Sequence, residues 1–341
     1  AAAMCRPGAL PDGGRVAVRP GALSSAPQYD GARADVLHYD AERGRYAVRL
    51  VHPSFSGKEL LVRPEALELI YALLPQNLAR ARAALGGGGR GPRARLSFED
   101  CTRRWGPDVG RALVAQRSFE EGETLFEEAP FLVVSNPPGL ERWVRRWDCY
   151  FAVTARARQG HDDVSKAFDE SDIGGDAVVD SLVADAEATL EQICAAGSAS
   201  EVARRAMKAS GQFDREVRRI ATVLARWQTN QHELGGESRR ALYCLAPKVA
   251  HSCGPNVGWE DPDPKTGHVE LRALRPISAG EVLGVNYMQQ EFLQLPVAAR
   301  RAQLLKERKF CCVCERCRLE AGEASAPALA PAPAATAAPT P

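Results

Sequence analysis

No run in this chain approaches the roughly 18 consecutive apolar residues of a membrane helix. Nor does an apolar core follow the first basic residues, as it would in a secretory leader. A helical membrane anchor is therefore not expected. Net charge is almost missing as well: 44 Lys and Arg face 43 Asp and Glu, a formal charge of +1. That balance gives no support to a polyelectrolyte that holds nucleic acid by bulk charge, although a local basic patch stays open. Cysteine is scarce over most of the length. Cys5, Cys101, Cys149, Cys194, Cys244 and Cys253 are scattered singly, and no internal repeat is visible. Without a leader, a disulfide scaffold is the weaker reading of these thiols.

What is present is concentrated. Cys311, Cys312, Cys314 and Cys317 fall together near the end, a density that points to a metal. The 341 residues suggest about two domains at roughly 150 residues each. Their hydrophobic content of 45% is enough to bury a core.

Residues 1–30, rich in Gly, Ala and Pro, are expected to be disordered. Ala34–Tyr39, the alternating Tyr46, Val48 and Leu50, and Lys58–Val62 predict strands of a small β-barrel-like module. A helix is expected from Glu65 to Pro75, completing residues 31–85. Gly86–Gly89 and Gly91 read as a linker over 86–95. They lack the Lys-Ser/Thr ending that a phosphate-cradling loop requires. Further strands are expected at Arg111–Gln116, Thr124–Phe126 and Phe131–Val134, with Glu121-Gly122-Glu123 turning between the first two. A helical insert spans about 141–231. In it Leu182, Ala186, Leu190 and Ile193, then Val217, Ile220, Leu224 and Trp227, form apolar faces. Trp227 and the following His232 read as structural. His268–Ala273 and Val282–Tyr287 return to strand, and Pro296 opens a short helix. Residues from about 321 to 341, nearly all Ala, Pro, Thr, Ser and Gly, are expected to be disordered.

Chemistry gathers in three segments: Ala250-His251-Ser252-Cys253-Gly254-Pro255-Asn256, Ile277 to Tyr287 with Gly280-Glu281, and Phe310 to Cys317. Cys312, Cys314 and Cys317 offer three thiolates on a tight loop. Zinc takes four ligands in a tetrahedron, so a distant residue must complete the set. Cys253 is the natural donor because Gly254-Pro255 turns the chain there, and His251 competes for the position. A Cys314/Cys317 redox pair is the other reading, but no βαβ unit precedes it. Cys311 is left as a spare.

These segments, in this order, resemble the SET-domain protein methyltransferases, in the SET-and-MYND-like branch. The resemblance runs from about Val109 to Cys317, and includes Gly110-Arg111-Ala112-Leu113-Val114-Ala115 and Trp227-Gln228-Thr229-Asn230. It implies a mainly β SET fold with a helical insert (96–295) and a zinc-binding post-SET region (296–320). The cysteine-rich MYND insert has no counterpart, since only Cys149 and Cys194 lie between Pro130 and Gln231.

The resemblance also assigns roles. Tyr287 stands at the catalytic tyrosine, and Phe310 at the aromatic that stacks on the adenine of S-adenosylmethionine. Gly110, Arg111, Ala112, Ala250, His251 and Tyr287 stand at cofactor-contacting positions, and Cys253, Cys312, Cys314 and Cys317 at the zinc. A buried strand-end role is the alternative for Tyr287. Three departures matter: Ala250 replaces the family's Asn, Ala112 replaces a Gly, and Arg308 stands where an aromatic is usual. Losing one hydrogen bond to a charged group removes about 1.5–3 kcal/mol of cofactor binding.

The expected activity is S-adenosylmethionine-dependent methylation of a lysine in a protein substrate. The alternative is a degenerate SET fold that serves as a protein-interaction module. A monomer in the nucleus or cytoplasm is expected, without membrane or nucleic-acid partners. Arg300, Arg301, Lys306, Arg308, Lys309, Arg316 and Arg318 form either a solvated helix face or an approach surface for an acidic partner or nucleic acid.

Overall fold

The protein is described from a computed structural model over residues 10–51, 57–74, 76–78, 81, 95–102, 110–135, 168, 174–196, 207–234, 239–260, 262–263 and 266–323. In chain order the strands are β1 (Arg15–Val18), β2 (Arg33–Asp40), β3 (Arg45–Leu50), β4 (Glu59–Val62) and β5 (Leu67–Leu73). Next come β6 (Leu96–Asp100), β7 (Arg111–Ala115), β8 (Thr124–Glu128), β9 (Leu132–Ser135), β10 (His232–Glu233) and β11 (Arg239–Leu242). The series ends with β12 (Ala250–His251), β13 (Val257–Trp259), β14 (Val269–Ala273) and β15 (Gly284–Val285). Helices are α1 (Asp176–Ser181), α2 (Val183–Ala196), α3 (Gln212–Asn230), α4 (Val297–Arg308) and α5 (Glu315–Glu320).

The chain forms two compact units. One comprises Ala1–Ala79, Ala129–Cys244 and Pro262–His268; the other comprises Arg80–Glu128, Leu245–Asp261 and Val269–Pro341. The first is built on an eight-stranded sheet in the order β10-β11-β9-β5-β1-β2-β3-β4. In β3, Tyr46, Val48 and Leu50 are buried while Arg49 is exposed, as period-two alternation requires. Val16, Val18, Ala34 and Val36 complete this core.

Three expectations are corrected here. Residues 1–30 are not disordered throughout: Arg15–Val18 form β1, paired with β2 on one side and β5 on the other. The N-terminal strands do not close a barrel; they are one end of an open sheet. The residues after Glu65 form strand β5, not a helix, after a short 3₁₀ turn at Pro64–Ala66. β5 pairs antiparallel with β1 on one side and β9 on the other (Tyr71↔Val134). With Ile70, Tyr71, Ala72 and Leu73 all buried, the run has no polar face to leave in water, and pairing on both edges overrides helix propensity.

Helices α1–α3 lie within the expected insert; its beginning, with Glu141, lies outside the described residues. On α3, Val217, Ile220 and Leu224 are buried and Trp227 is half-buried. On the preceding helices Leu182, Ala186 and Leu190 are buried. His232 packs edge-on against Tyr243, with centroids 5.3 Å apart.

The second unit holds smaller pieces. β6 and β7 form an antiparallel pair, β13-β14-β8 a three-stranded sheet, and β12 and β15 a parallel pair. Of the expected strand over 282–287, only Gly284–Val285 is regular, with Val282 bridged to Val114. β7 is held along the segment before β15: Ala115 N donates to Glu281 O and Leu283 N to Leu113 O, both at 2.9 Å. Helix α4 follows Pro296 as expected. It ends at Lys309, whose φ of 65° makes it the one non-glycine residue with positive φ among those described. This left-handed turn sends the chain to Phe310 and the cysteines.

Candidate metal and aromatic site

The site begins with a carboxylate. Glu128, buried at the end of β8, accepts the backbone N–H of Leu245 at 2.9 Å and of Ala246 at 3.0 Å. These are donors at the start of the 3₁₀ turn Ala246–Lys248, which a carboxylate caps well. The turn delivers β12, whose Ala250 and His251 pair with Gly284 and Val285. The two strands lie so close that a Cβ on Gly284 would stand 2.7 Å from the Cβ of Ser252, which excludes any larger residue.

Asn256 then locks the crossing. Its Oδ1 accepts from Gly284 N at 2.8 Å, and its Nδ2 donates to Val282 O at 3.0 Å. Nearby, Glu281 accepts Ser278 N at 2.7 Å and the Arg275 guanidinium at 3.0 Å. Burial pushes the Glu281 carboxyl up, but the Ser278 amide, Arg275 and Asn256 outweigh it and hold it below the usual range.

Past the crossing, Cys253 meets the C-terminal cysteines. The sulfurs of Cys253, Cys312, Cys314 and Cys317 all lie within 4.8 Å of one another, and all four residues are buried. A zinc tetrahedron with 2.3 Å bonds has sulfur–sulfur edges of about 3.8 Å; Cys253 and Cys312 Sγ are 3.9 Å apart. Hydrogen bonds from Cys253 and Cys312 draw Cys314 far below the ordinary thiol range. Similar bonds, joined by one from Arg300, bring Cys317 to about 7. The same contacts, with burial, push the Cys253 and Cys312 thiols up, so the four share rather than each lose their protons; the donor set and spacing fit zinc.

Of the two candidates for the distant ligand, Cys253 joins the group and His251 stands outside it. Cys311 also stands outside. One detail is corrected: Cys317 is not on the loop but on α5, which starts directly after Cys314.

Aromatic rings line one side of this centre. His251 lies 5.3 Å from Tyr287, 5.8 Å from Phe310 and 6.0 Å from Phe292, between centroids. Tyr287 N donates to His251 Nδ1 at 3.1 Å, and His251 Nε2 is 3.4 Å from Cys253 Sγ. Burial is the main cause that lowers the His251 pKa to about 4, so the ring is neutral. The Tyr287 hydroxyl donates to Val249 O at 2.5 Å. Arg308, where an aromatic was expected, donates instead to Tyr287 O at 3.2 Å.

The remaining predicted residues form a separate group. Gly110 has a φ of 57° and leads into β7, and the Arg111 guanidinium lies 4.2 Å over the Phe98 ring. Ala112 is fully buried with Cys101 and Val114, and Ala250 packs against them. The two positions that depart from the family pattern, one shrunk from Asn and one enlarged from Gly, are therefore members of one apolar cluster. Ala250 and His251 are consecutive, so β12 joins this cluster to the aromatic one.

Sequence reasoning missed Glu128, and named Asn256 and Arg300 without the buried roles that they have. A carboxylate, an amide and a guanidinium carry no local pattern that announces burial. The basic residues near the cysteines are also corrected. Arg300 is 0% exposed, while Arg301 and Arg316 spend their guanidinium groups on Glu323, Glu320 and backbone carbonyls. These three leave the solvated face, which Lys306, Arg308 and Lys309 keep as exposed residues at the end of α4.

No curated protein matches the chain. Among solved structures it is similar to the SET domain of LSMT, a crystal structure bound to lysine and AdoHcy. Identity there is 10%, the TM-score is 0.34, and the match covers 63% of this chain and 54% of that one. The chain thus spans about half the length of that protein. The family model that matches is the SET domain, over residues 110–288. That range contains the Asn256 crossing, His251, Cys253 and Tyr287, and it is more than half of the sequence: the chain belongs to the SET-domain family.

Proposed function

We propose that this protein is an S-adenosylmethionine-dependent protein-lysine N-methyltransferase. Family membership supports the reaction class. The observation that carries the reading is the convergence of Tyr287, His251 and Phe310 beside the four-cysteine centre, three positions that the resemblance assigns to catalysis and cofactor contact. Bound S-adenosylmethionine would supply a methyl group made electrophilic by its sulfonium.

The chain's own residues prepare the lysine. An ammonium, with an ordinary pKa near 10.4, has no lone pair for attack. Desolvation in an enclosed channel and the positive charge of the nearby sulfonium would disfavour the charged form. The Tyr287 hydroxyl gives its proton to Val249 O, so toward an amine N–H its oxygen acts as an acceptor. Tyr287 therefore orients the amine rather than titrating, a proximity effect. Arg308 and His251 hold the Tyr287 backbone from two sides. Gly110, Arg111, Ala112, Ala250, His251 and Phe310 are assigned to the cofactor. Cys253, Cys312, Cys314 and Cys317 are assigned to a structural zinc that fastens the C-terminal region to β12. Four reduced thiols suit an intracellular setting, nucleus or cytoplasm.

One observation favours a second reading, a SET fold that binds a protein without transferring methyl groups. Ala112 and Ala250 pack in an apolar cluster that offers a cofactor no side-chain polar group from either position. Transfer of radiolabelled methyl onto proteins of a cell lysate, wild type against Tyr287→Phe, tests the enzyme. Calorimetric titration with S-adenosylmethionine tests the alternative. Label incorporated by wild type and lost in the variant supports methyl transfer; no binding at millimolar cofactor leaves the interaction module.

A further inference from the structure

Arg300 is the largest side chain in the described structure with essentially no exposure. An always-charged guanidinium in such a place needs a reason, because burial removes its hydration. Its contacts are specific. Nη1 donates to Leu295 O at 2.5 Å, and Nη2 reaches both Glu320 Oε2 at 2.7 Å and Cys317 Sγ at 3.5 Å. Glu320 cannot neutralise it alone, since the same carboxylate also takes Arg316 Nε at 2.6 Å. The other side-chain partner of its fork is the Cys317 sulfur.

Its neighbours act on the same centre from outside. Arg301 Nε donates to Cys312 O at 2.9 Å, and Arg316 Nη1 donates to Cys253 O at 2.9 Å. Three guanidinium groups thus reach three of the four cysteines, and among them only Arg300 reaches a sulfur. Four thiolates around a divalent zinc carry a net charge of −2. Arg300, Arg301 and Arg316 against Glu320 and Glu323 leave one positive charge beside it.

We infer that Arg300 is a positioning residue of the metal centre: buried behind Cys317 and fixed by Leu295 O and Glu320, it aims that sulfur at the other three, so that the four are held in place for zinc. This rests on the reading of the four cysteines as a zinc site. A hydrogen bond to a ligating sulfur withdraws electron density from it, and removal of such outer partners typically lowers metal affinity by about 10–100-fold.

The test uses the full chain, first with zinc and a competing chelator, then with cobalt(II) in place of zinc. Arg300→Met is expected to weaken zinc by about 10–100-fold. It should also move the sulfur-to-cobalt charge-transfer band to lower energy, because the sulfur becomes the better donor. Arg300→Lys, which keeps the charge but not the fork, should recover part of both. A role in packing alone would lower thermal stability and leave the band where it is. A folded Arg300→Met protein with wild-type affinity and an unmoved band overturns the inference while leaving the zinc site standing. Wild type that takes up neither metal overturns both. If Arg300→Met does not fold, Glu320→Gln decides, since it removes one of the two anions holding Arg300. A shifted band in that variant supports the inference, and an unmoved one overturns it.

Discussion

The backbone N–H of Tyr287 donates to Nδ1 of His251 at 3.1 Å. A neutral imidazole that accepts at Nδ1 carries its proton on Nε2, and Nε2 lies 3.4 Å from Cys253 Sγ. One ring therefore links the tyrosine to a cysteine of the metal centre. Replacing it should be felt at both ends. His251→Ala is expected to speed zinc loss to a chelator and to lower methyl transfer by at least about tenfold. Unchanged zinc release in that variant would sink the link.

Tyr287→Phe removes only the hydroxyl. Its bond to Val249 O is worth about 1 kcal/mol of stability. The variant should therefore fold and bind cofactor with near wild-type affinity, while turnover falls on the order of 100-fold through lost orientation. Equal losses in cofactor binding and turnover would instead place Tyr287 in a purely structural role.

Cys314→Ser should take zinc from one ion per chain to none, measured by native mass spectrometry. Metal binding to such a site is folding free energy. Loss on the order of 3 kcal/mol would lower the thermal midpoint by roughly 5–10 °C. Cys311→Ser, outside the sulfur group, should change neither quantity.

Asn256→Ala leaves the Gly284 amide and the Val282 carbonyl without their side-chain partner in a buried crossing. Two such groups cost about 2–4 kcal/mol together, read as a lower urea midpoint with an unchanged slope. A shift of under half a kilocalorie would mean that water or neighbours replace the amide.

Glu281 gives a pH dependence with a definite sign. Its native pKa lies below its ordinary value of 4.5, so its contribution to stability is complete above that pH and is lost as pH falls through the native value. Glu281→Gln should thus be less stable than wild type at neutral pH, with the gap closing on acidification. A gap that stays constant down to pH 3 would show that hydrogen-bond geometry, not charge, is what the variant lost.

The sequence was most legible where pattern and chemistry coincide. The alternation in Tyr46, Val48 and Leu50, the stripe of Val217, Ile220 and Leu224, and the Cys312-x-Cys314-x-x-Cys317 spacing all lead directly to observed features. Cys253 followed from counting zinc's ligands, although it lies 59 residues from Cys312. Failure came where partners distant in sequence decide. Leu67–Leu73 is apolar at helical and strand periods alike, and only its pairing with β1 and β9 makes it a strand. Arg300 looked like its exposed neighbours because burial of a charge is set by Glu320 and Cys317, not by anything beside it in the chain.

The place of β5 in the sheet also bears on how the protein is made. Its partner β1 has left the ribosome before it, but β9 is synthesised only after Pro130, and β11 pairs Arg239 with Ser135 later still. Chains appear N-terminus first. The β9-facing edge of Leu67–Leu73 therefore waits with open backbone donors and acceptors, a template for wrong partners. Nascent or truncated chains that stop short of Leu132 carry this open edge, which only β9 covers.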